Sequence, residues 1–163
     1  KNSPLGENTI IVATGDHNIR QVFEYDDENS FLKRSVPILF YIPEKYKPAF
    51  FDSSVMASHK DIFPTIFNLS LSNQKYIYSG DNLFKKSPNY RFAINEYNFM
   101  ADSIGVISYE NGSPAYYTWK DKNKRKLSLD NIQNSHAQFM LNKMRAFSAL
   151  QTIQIYMDIE KNK

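Results

Sequence analysis

The chain has 163 residues, 42% hydrophobic and 15% aromatic, enough for one ordinary domain to bury a core and too aromatic for a disordered segment. Its 20 basic and 17 acidic residues leave a net charge of +3, too small and too mixed to point to nucleic acid. The absence of cysteine excludes disulfide frameworks, thiolate metal sites and cysteine nucleophiles, so any metal must be held by oxygen and imidazole.

No apolar run approaches the roughly 20 residues that cross a bilayer, and the chain itself reads as soluble. A few polar residues lead straight into Thr9-Ile10-Ile11-Val12-Ala13-Thr14, a continuous β-branched run of the kind found in strands covered on both faces of a parallel α/β sheet. With a central strand so early, the chain is expected to be a piece of something larger. Gly15-Asp16-His17-Asn18 ends it, and the polar, acidic stretch from 18 to 35 reads as a long loop.

A second buried strand is expected over Val36–Ile42, with Pro37 near its start and Pro43 closing it. Two such strands separated by a crossover indicate an open α/β sheet. The segment Ser58 to Leu69 reads as a helix. Ser58 and Asp61 have capping-box spacing, while Pro64 fits a first turn if Asp61 itself is the cap. Short alternating strands follow over 90–95, 103–109, 114–119 and 126–129, with Asn111-Gly112 as a turn, which describes a small antiparallel meander. A long amphipathic helix closes the chain. Its stripe of Met140, Met144, Phe147, Leu150, Ile153 and Met157 is expected to pack on the meander. The division expected is 1–88 for the α/β part and 89–163 for the meander and helix.

Asp16 and His17 stand where a buried strand ends, the place where open α/β sheets put their ligand sites. Carboxylate beside imidazole is a workable half of a divalent metal site, although the dipeptide alone is more often a turn with a satisfied histidine. His59 reads as a capping or packing residue ahead of a metal role, and His136 as a surface residue opening the last helix. Asp61 reads as a helix cap. The run Lys120-Asp121-Lys122-Asn123-Lys124-Arg125-Lys126 follows Tyr116, Tyr117 and Trp119; a lipid-headgroup or nucleic-acid patch is conceivable there, but a solvated hairpin turn is the plainer reading.

Three segments in order carry a resemblance: Asn8 to His17 ending in Asp-His, Val36 to Pro43 opening Val-Pro, and Ser58 to Ile66 with Asp61-Ile62-Phe63-Pro64-Thr65. Together they resemble the last third of the sulfatase and lipoteichoic-acid-synthase enzymes of the alkaline phosphatase superfamily, over residues 8 to 70. The resemblance implies a fold class of α/β, part of an alkaline phosphatase-like sheet with flanking helices, followed by the small antiparallel sheet backed by the long C-terminal helix. It implies Asp16 and His17 as two ligands of a catalytic divalent metal, Mn²⁺ or Zn²⁺ ahead of Ca²⁺ or Mg²⁺, with Asn18 and His59 as candidates for support behind them. The hydroxyl nucleophile and the remaining ligands would lie upstream, in the rest of a membrane-anchored, extracytoplasmic parent enzyme, so this piece alone should be inactive.

Asp-His, where many calcium-dependent arylsulfatases have Asp-Asn, tilts the implied chemistry toward phospho-headgroup transfer or hydrolysis. The substrate would be a phospholipid or another phosphate or sulfate ester, with no nucleic acid as partner. A true sulfatase is the alternative within the superfamily, and a non-catalytic binding domain that keeps the fold is the alternative of another class.

Overall fold

The computed structural model describes residues 3–18, 24–71, 74–86, 90–95, 98–109 and 112–161. Part of the expected 18–35 loop, Asn111 of the expected turn and the expected 88/89 boundary lie outside the described residues. The chain divides into two compact units, Lys1–Arg91 and Phe92–Lys163. The architecture is mixed α/β: a two-stranded sheet, a five-stranded antiparallel sheet and a long C-terminal helix. Among the described residues no helix is long and apolar enough to cross a membrane.

In the first unit β1 (Ile11–Thr14) pairs with β2 (Ile38–Tyr41), Thr14 opposite Ile38 and Ile11 opposite Tyr41. The strands are neighbours, as expected, but they run antiparallel, which corrects the parallel reading. Nor are they covered on both faces: Ile11 is 55% and Leu39 63% exposed. A run of β-branched residues reports strand propensity and the burial it is suited to, but not its partner's direction.

The long-loop reading of 18–35 is also corrected. Asp27–Arg34 is a 3₁₀ segment whose N-cap Asp26 accepts the Asn29 N–H at 2.8 Å, with Asp27 and Glu28 in its first turn and Lys33 and Arg34 in its last. Cap and charge order complement the helix dipole and were legible as a start and a stop. No apolar period of 3.6 accompanied them.

The helix expected over 58–69 is a 3₁₀ turn, His59–Asp61, running into α1 (Ile62–Ser70), with Asp61 as the α1 N-cap and Pro64 in its first turn. Asp61 is 1% exposed and saturated with donors. Its Oδ2 accepts the Ser58 N–H at 2.9 Å, and its Oδ1 accepts the Asp81 N–H at 2.7 Å and Lys60 Nζ at 2.6 Å. Thr65, fully buried, donates to the Asp61 carbonyl at 2.6 Å and accepts the Leu83 N–H at 3.0 Å. The Asp-x-x-x-Thr pair thus fastens segment 80–84 to the start of α1. Gly80 is required by this close approach, since a Cβ there would lie 2.0 Å from the Lys60 carbonyl oxygen. Apolar packing in this unit centres on Phe84, 7% exposed, with the Phe40 ring edge-on at 5.1 Å.

The second unit is a meander in sequence order: β3 (Ala93–Asn95), β4 (Phe99–Ala101), β5 (Gly105–Ser108), β6 (Ala115–Trp119) and β7 (Leu127–Asp130). β4 was not foreseen. Its three residues, Phe-Met-Ala, are all buried, so they lack the polar-apolar alternation that announces a half-exposed strand.

The closing helix α2 (Ser135–Lys161) buries Ala137, Met140, Leu141 and Met144. The C-terminal half of the expected stripe does not pack: Leu150 is 63%, Ile153 54% and Met157 53% exposed. This corrects the reading of a stripe packed along its whole length. Strands of three to five residues give the sheet a span shorter than a helix of 27 residues, which outruns it.

His136 is half-buried, which corrects its reading as a surface residue. Its Nε2 lies 2.7 Å from Oδ2 of Asp102, a carboxylate whose side chain is 1% exposed and whose Oδ1 also accepts the N–H groups of Ile104 and Gly105 at 2.7 and 2.8 Å. The Asp102 backbone carbonyl accepts Trp119 Nε1–H at 2.9 Å, tying the turn between β4 and β5 to β6. His136→Ala removes a donor from a buried carboxylate, and equilibrium denaturation should show a loss of about 1.5–3 kcal/mol. A loss indistinguishable from zero would mean the imidazole is incidental.

Beside this cluster Tyr116 is 1% exposed, and burial, followed by the charges of Asp102 and Asp130, raises its phenol above the usual 10.0. The unfolded phenol therefore ionises first. Tyr116 contributes stability that is fully present below pH 10 and falls as pH rises from 10.0 toward the higher folded value. Tyr116→Phe should flatten that alkaline decline in denaturation curves taken at successive pH.

Candidate metal half-site

The end of β1 carries the residues singled out by sequence. Asp16 Oδ1 accepts the His17 backbone N–H at 2.8 Å, which turns Oδ2 toward the imidazole, 3.6 Å from Nε2. That separation lies just beyond the roughly 3 to 3.5 Å expected of two donors sharing one ion. Both side chains are open to solvent, 88% exposed for Asp16 and 65% for His17. The hydrogen bond from the His17 N–H, followed by the charge of His17, holds the Asp16 carboxyl below the usual carboxylate value. It is therefore ionised, as a ligand must be.

The imidazole is oriented from behind. His17 Nδ1 is 3.0 Å from the Asn18 carbonyl oxygen, which can only accept, so Nδ1 carries hydrogen and, in the neutral imidazole, the lone pair is on Nε2, the atom facing Asp16 Oδ2. Asn18 is itself fixed: its amide donates to the Leu32 carbonyl at 2.8 Å and to the Tyr25 hydroxyl at 2.9 Å. The 3₁₀ segment Asp27–Arg34 thereby acts on His17 through Asn18. Sequence reading assigned that stretch no role.

His59 reaches the same strand end from the start of the Pro64 helix, with its Nε2 3.0 Å from the Gly15 carbonyl oxygen and 3.3 Å from Thr14 Oγ1. A carbonyl only accepts, so His59 Nε2 carries hydrogen and donates to it. This nitrogen positions the Gly15-Asp16 peptide and cannot serve as a ligand while that bond stands. Gly15 itself has no positive φ; what it supplies is room, because an added Cβ would come 3.2 Å from Val36 Cγ1.

Asp16 Oδ2 and His17 Nε2 fit two positions of a divalent ion that accepts oxygen and nitrogen, such as Zn²⁺ or Mn²⁺. Two donors do not hold an ion, and among the described residues no group of three or more His, Cys, Asp or Glu converges to do so. The arrangement offers two donors of the right kind and no more. A shallow cleft of about 400 Å³ in the second unit, lined by Asn98, Tyr109, Met144, Arg145 and Ser148, contains none of the candidate metal or supporting residues. No protein-family model, no curated protein and no solved structure matches the chain.

Proposed function

We propose that this chain is the C-terminal part of a metal-dependent phospho-headgroup transferase or hydrolase of the sulfatase family, acting outside the cytoplasm as part of a membrane-anchored parent. It supplies two metal ligands and no nucleophile. The observation that carries the reading is the paired orientation at the end of β1. Each donor residue spends one polar atom on a bond that aims the other, and the two aimed atoms, Asp16 Oδ2 and His17 Nε2, face each other in solvent. What a bound ion would supply there is polarisation of a phosphate or sulfate ester oxygen. Asp16 and His17 hold, Asn18 orients, and His59 fixes the strand end.

Two further observations support an incomplete unit. β1, largely exposed, and β2, half-buried with Leu39 exposed, are apolar runs in a two-stranded sheet, an arrangement marginal in water unless further layers or strands cover it. Phe84, 7% exposed, is also the single large apolar side chain buried among the described residues of the first unit. The parent would supply the missing sheet and ligands.

Manganese titration followed by amide and imidazole NMR tests the reading. This chain should show weak paramagnetic broadening centred on Asp16 and His17, lost in His17→Ala, and should not turn over chromogenic phosphate or sulfate esters. Broadening centred elsewhere, or metal-dependent turnover by this chain alone, would sink the assignment. In the parent, faster turnover of the sulfate ester would move the reading to a true sulfatase. Absence of both metal and turnover would move it to a binding domain.

A further inference from the structure

The end of the meander where β4 turns into β5 and β6 into β7 brings together features that are separate in sequence. The β6–β7 hairpin carries Lys120, Lys122, Lys124, Arg125 and Lys126, five cations against the one carboxylate of Asp121. That carboxylate is turned onto the hairpin's own backbone: Asp121 Oδ1 accepts the N–H groups of Arg125 at 2.9 Å and Lys126 at 2.8 Å. The Lys120 N–H donates to the Lys126 carbonyl at 2.9 Å, and Lys124 holds a left-handed φ of 54° that a residue with a Cβ adopts at some cost. The result is a closed loop with Lys120, Lys122, Arg125 and Lys126 on its exposed surface.

Beside it lies Ile104, 51% exposed, whose carbonyl accepts the Trp119 N–H at 3.4 Å, one residue before the cationic loop begins. Ile104 is presented rigidly. The buried Asp102 carboxylate holds the N–H groups of Ile104 and Gly105, and Gly105 sits so close to β6 that a Cβ would lie 2.3 Å from the Tyr117 carbonyl oxygen. The Trp119 indole, half-buried, is pinned through Nε1 to the Asp102 carbonyl.

We propose that this end of the sheet docks on an anionic lipid surface, with Ile104 entering the headgroup boundary and Lys122, Arg125 and Lys126 meeting lipid phosphates. A fixed apolar tip beside a cluster of cations matches the two layers of such a surface, acyl boundary and charged headgroups. Nucleic acid is the weaker match: Ile104 has no use against a phosphate backbone, and the pinned indole is not swung out to stack on a base. The surface lies wholly within the second unit and does not depend on the metal-ligand reading.

Co-sedimentation of the full 163-residue chain with vesicles tests this, using equimolar phosphatidylglycerol and phosphatidylcholine against phosphatidylcholine alone. Binding should be at least about tenfold stronger to the anionic vesicles and should weaken with salt. Lys122→Glu with Arg125→Glu should lower it by about a hundredfold, and Ile104→Asp by about tenfold, with circular dichroism unchanged. Should the double variant not fold, Ile104→Ser carries the same test at an exposed site. Equal binding to both vesicles, variants that bind like the unaltered chain, displacement by inorganic phosphate, or duplex DNA retained in preference to lipid would each overturn the proposal.

Discussion

Asp61→Ala is expected to cost the first unit about 3–5 kcal/mol, because it strands a buried cation and two backbone donors in one step. The Lys60 and Asp61 side chains are 7% and 2% exposed and 2.6 Å apart, so without the carboxylate the ammonium is left in a site built for an ion pair. The Ser58 and Asp81 N–H groups lose the same acceptor. Lys60→Met should cost less, since Asp61 then keeps its two backbone donors. Hydrogen exchange provides the local readout: the Asp81 and Leu83 amides, held by Asp61 Oδ1 and Thr65 Oγ1, should exchange faster in Asp61→Ala ahead of global unfolding. If Asp61→Ala and Lys60→Met were equally mild, the carboxylate would not be the fastener that the geometry makes it.

The second large effect is on catalysis in the proposed parent. Asp16→Ala or His17→Ala there should lower turnover by at least about a hundredfold, more than is usual for loss of a group that merely supports a ligand. Bound metal should fall in parallel. In this chain, without metal, the two side chains are 88% and 65% exposed, so the same substitutions should leave its unfolding midpoint where it was. His59→Ala should behave differently: it releases the Gly15 carbonyl and Thr14 hydroxyl, so metal affinity should weaken while the stoichiometry is kept. Unchanged activity in His17→Ala, with the metal still bound, would remove the half-site from the mechanism.

What the sequence determined by itself was local. Strand propensity placed β1 and β2 to within two residues, the Asp61 cap and first-turn Pro64 set the start of α1, and the place of Asp16 and His17 just past the end of β1 followed from where the apolar run stops. These properties depend on neighbours along the chain. The tertiary structure decided whatever depends on a partner far away in sequence. The antiparallel sense of β1 and β2 is set by pairing across 24 residues or more, and no residue type encodes direction.

His136 looked like a surface residue because nothing near it in sequence is a carboxylate; the partner that half-buries it, Asp102, is 34 residues earlier. The imidazole of His59 was within reach of Gly15 only after a strand and a helix had folded back on each other, 44 residues apart. The basic hairpin was legible as charge alone and read as a solvated turn. Only the meander sets Ile104 beside it, through a hydrogen bond between adjacent strands, and that apolar neighbour turns a charged loop into a surface with two chemistries.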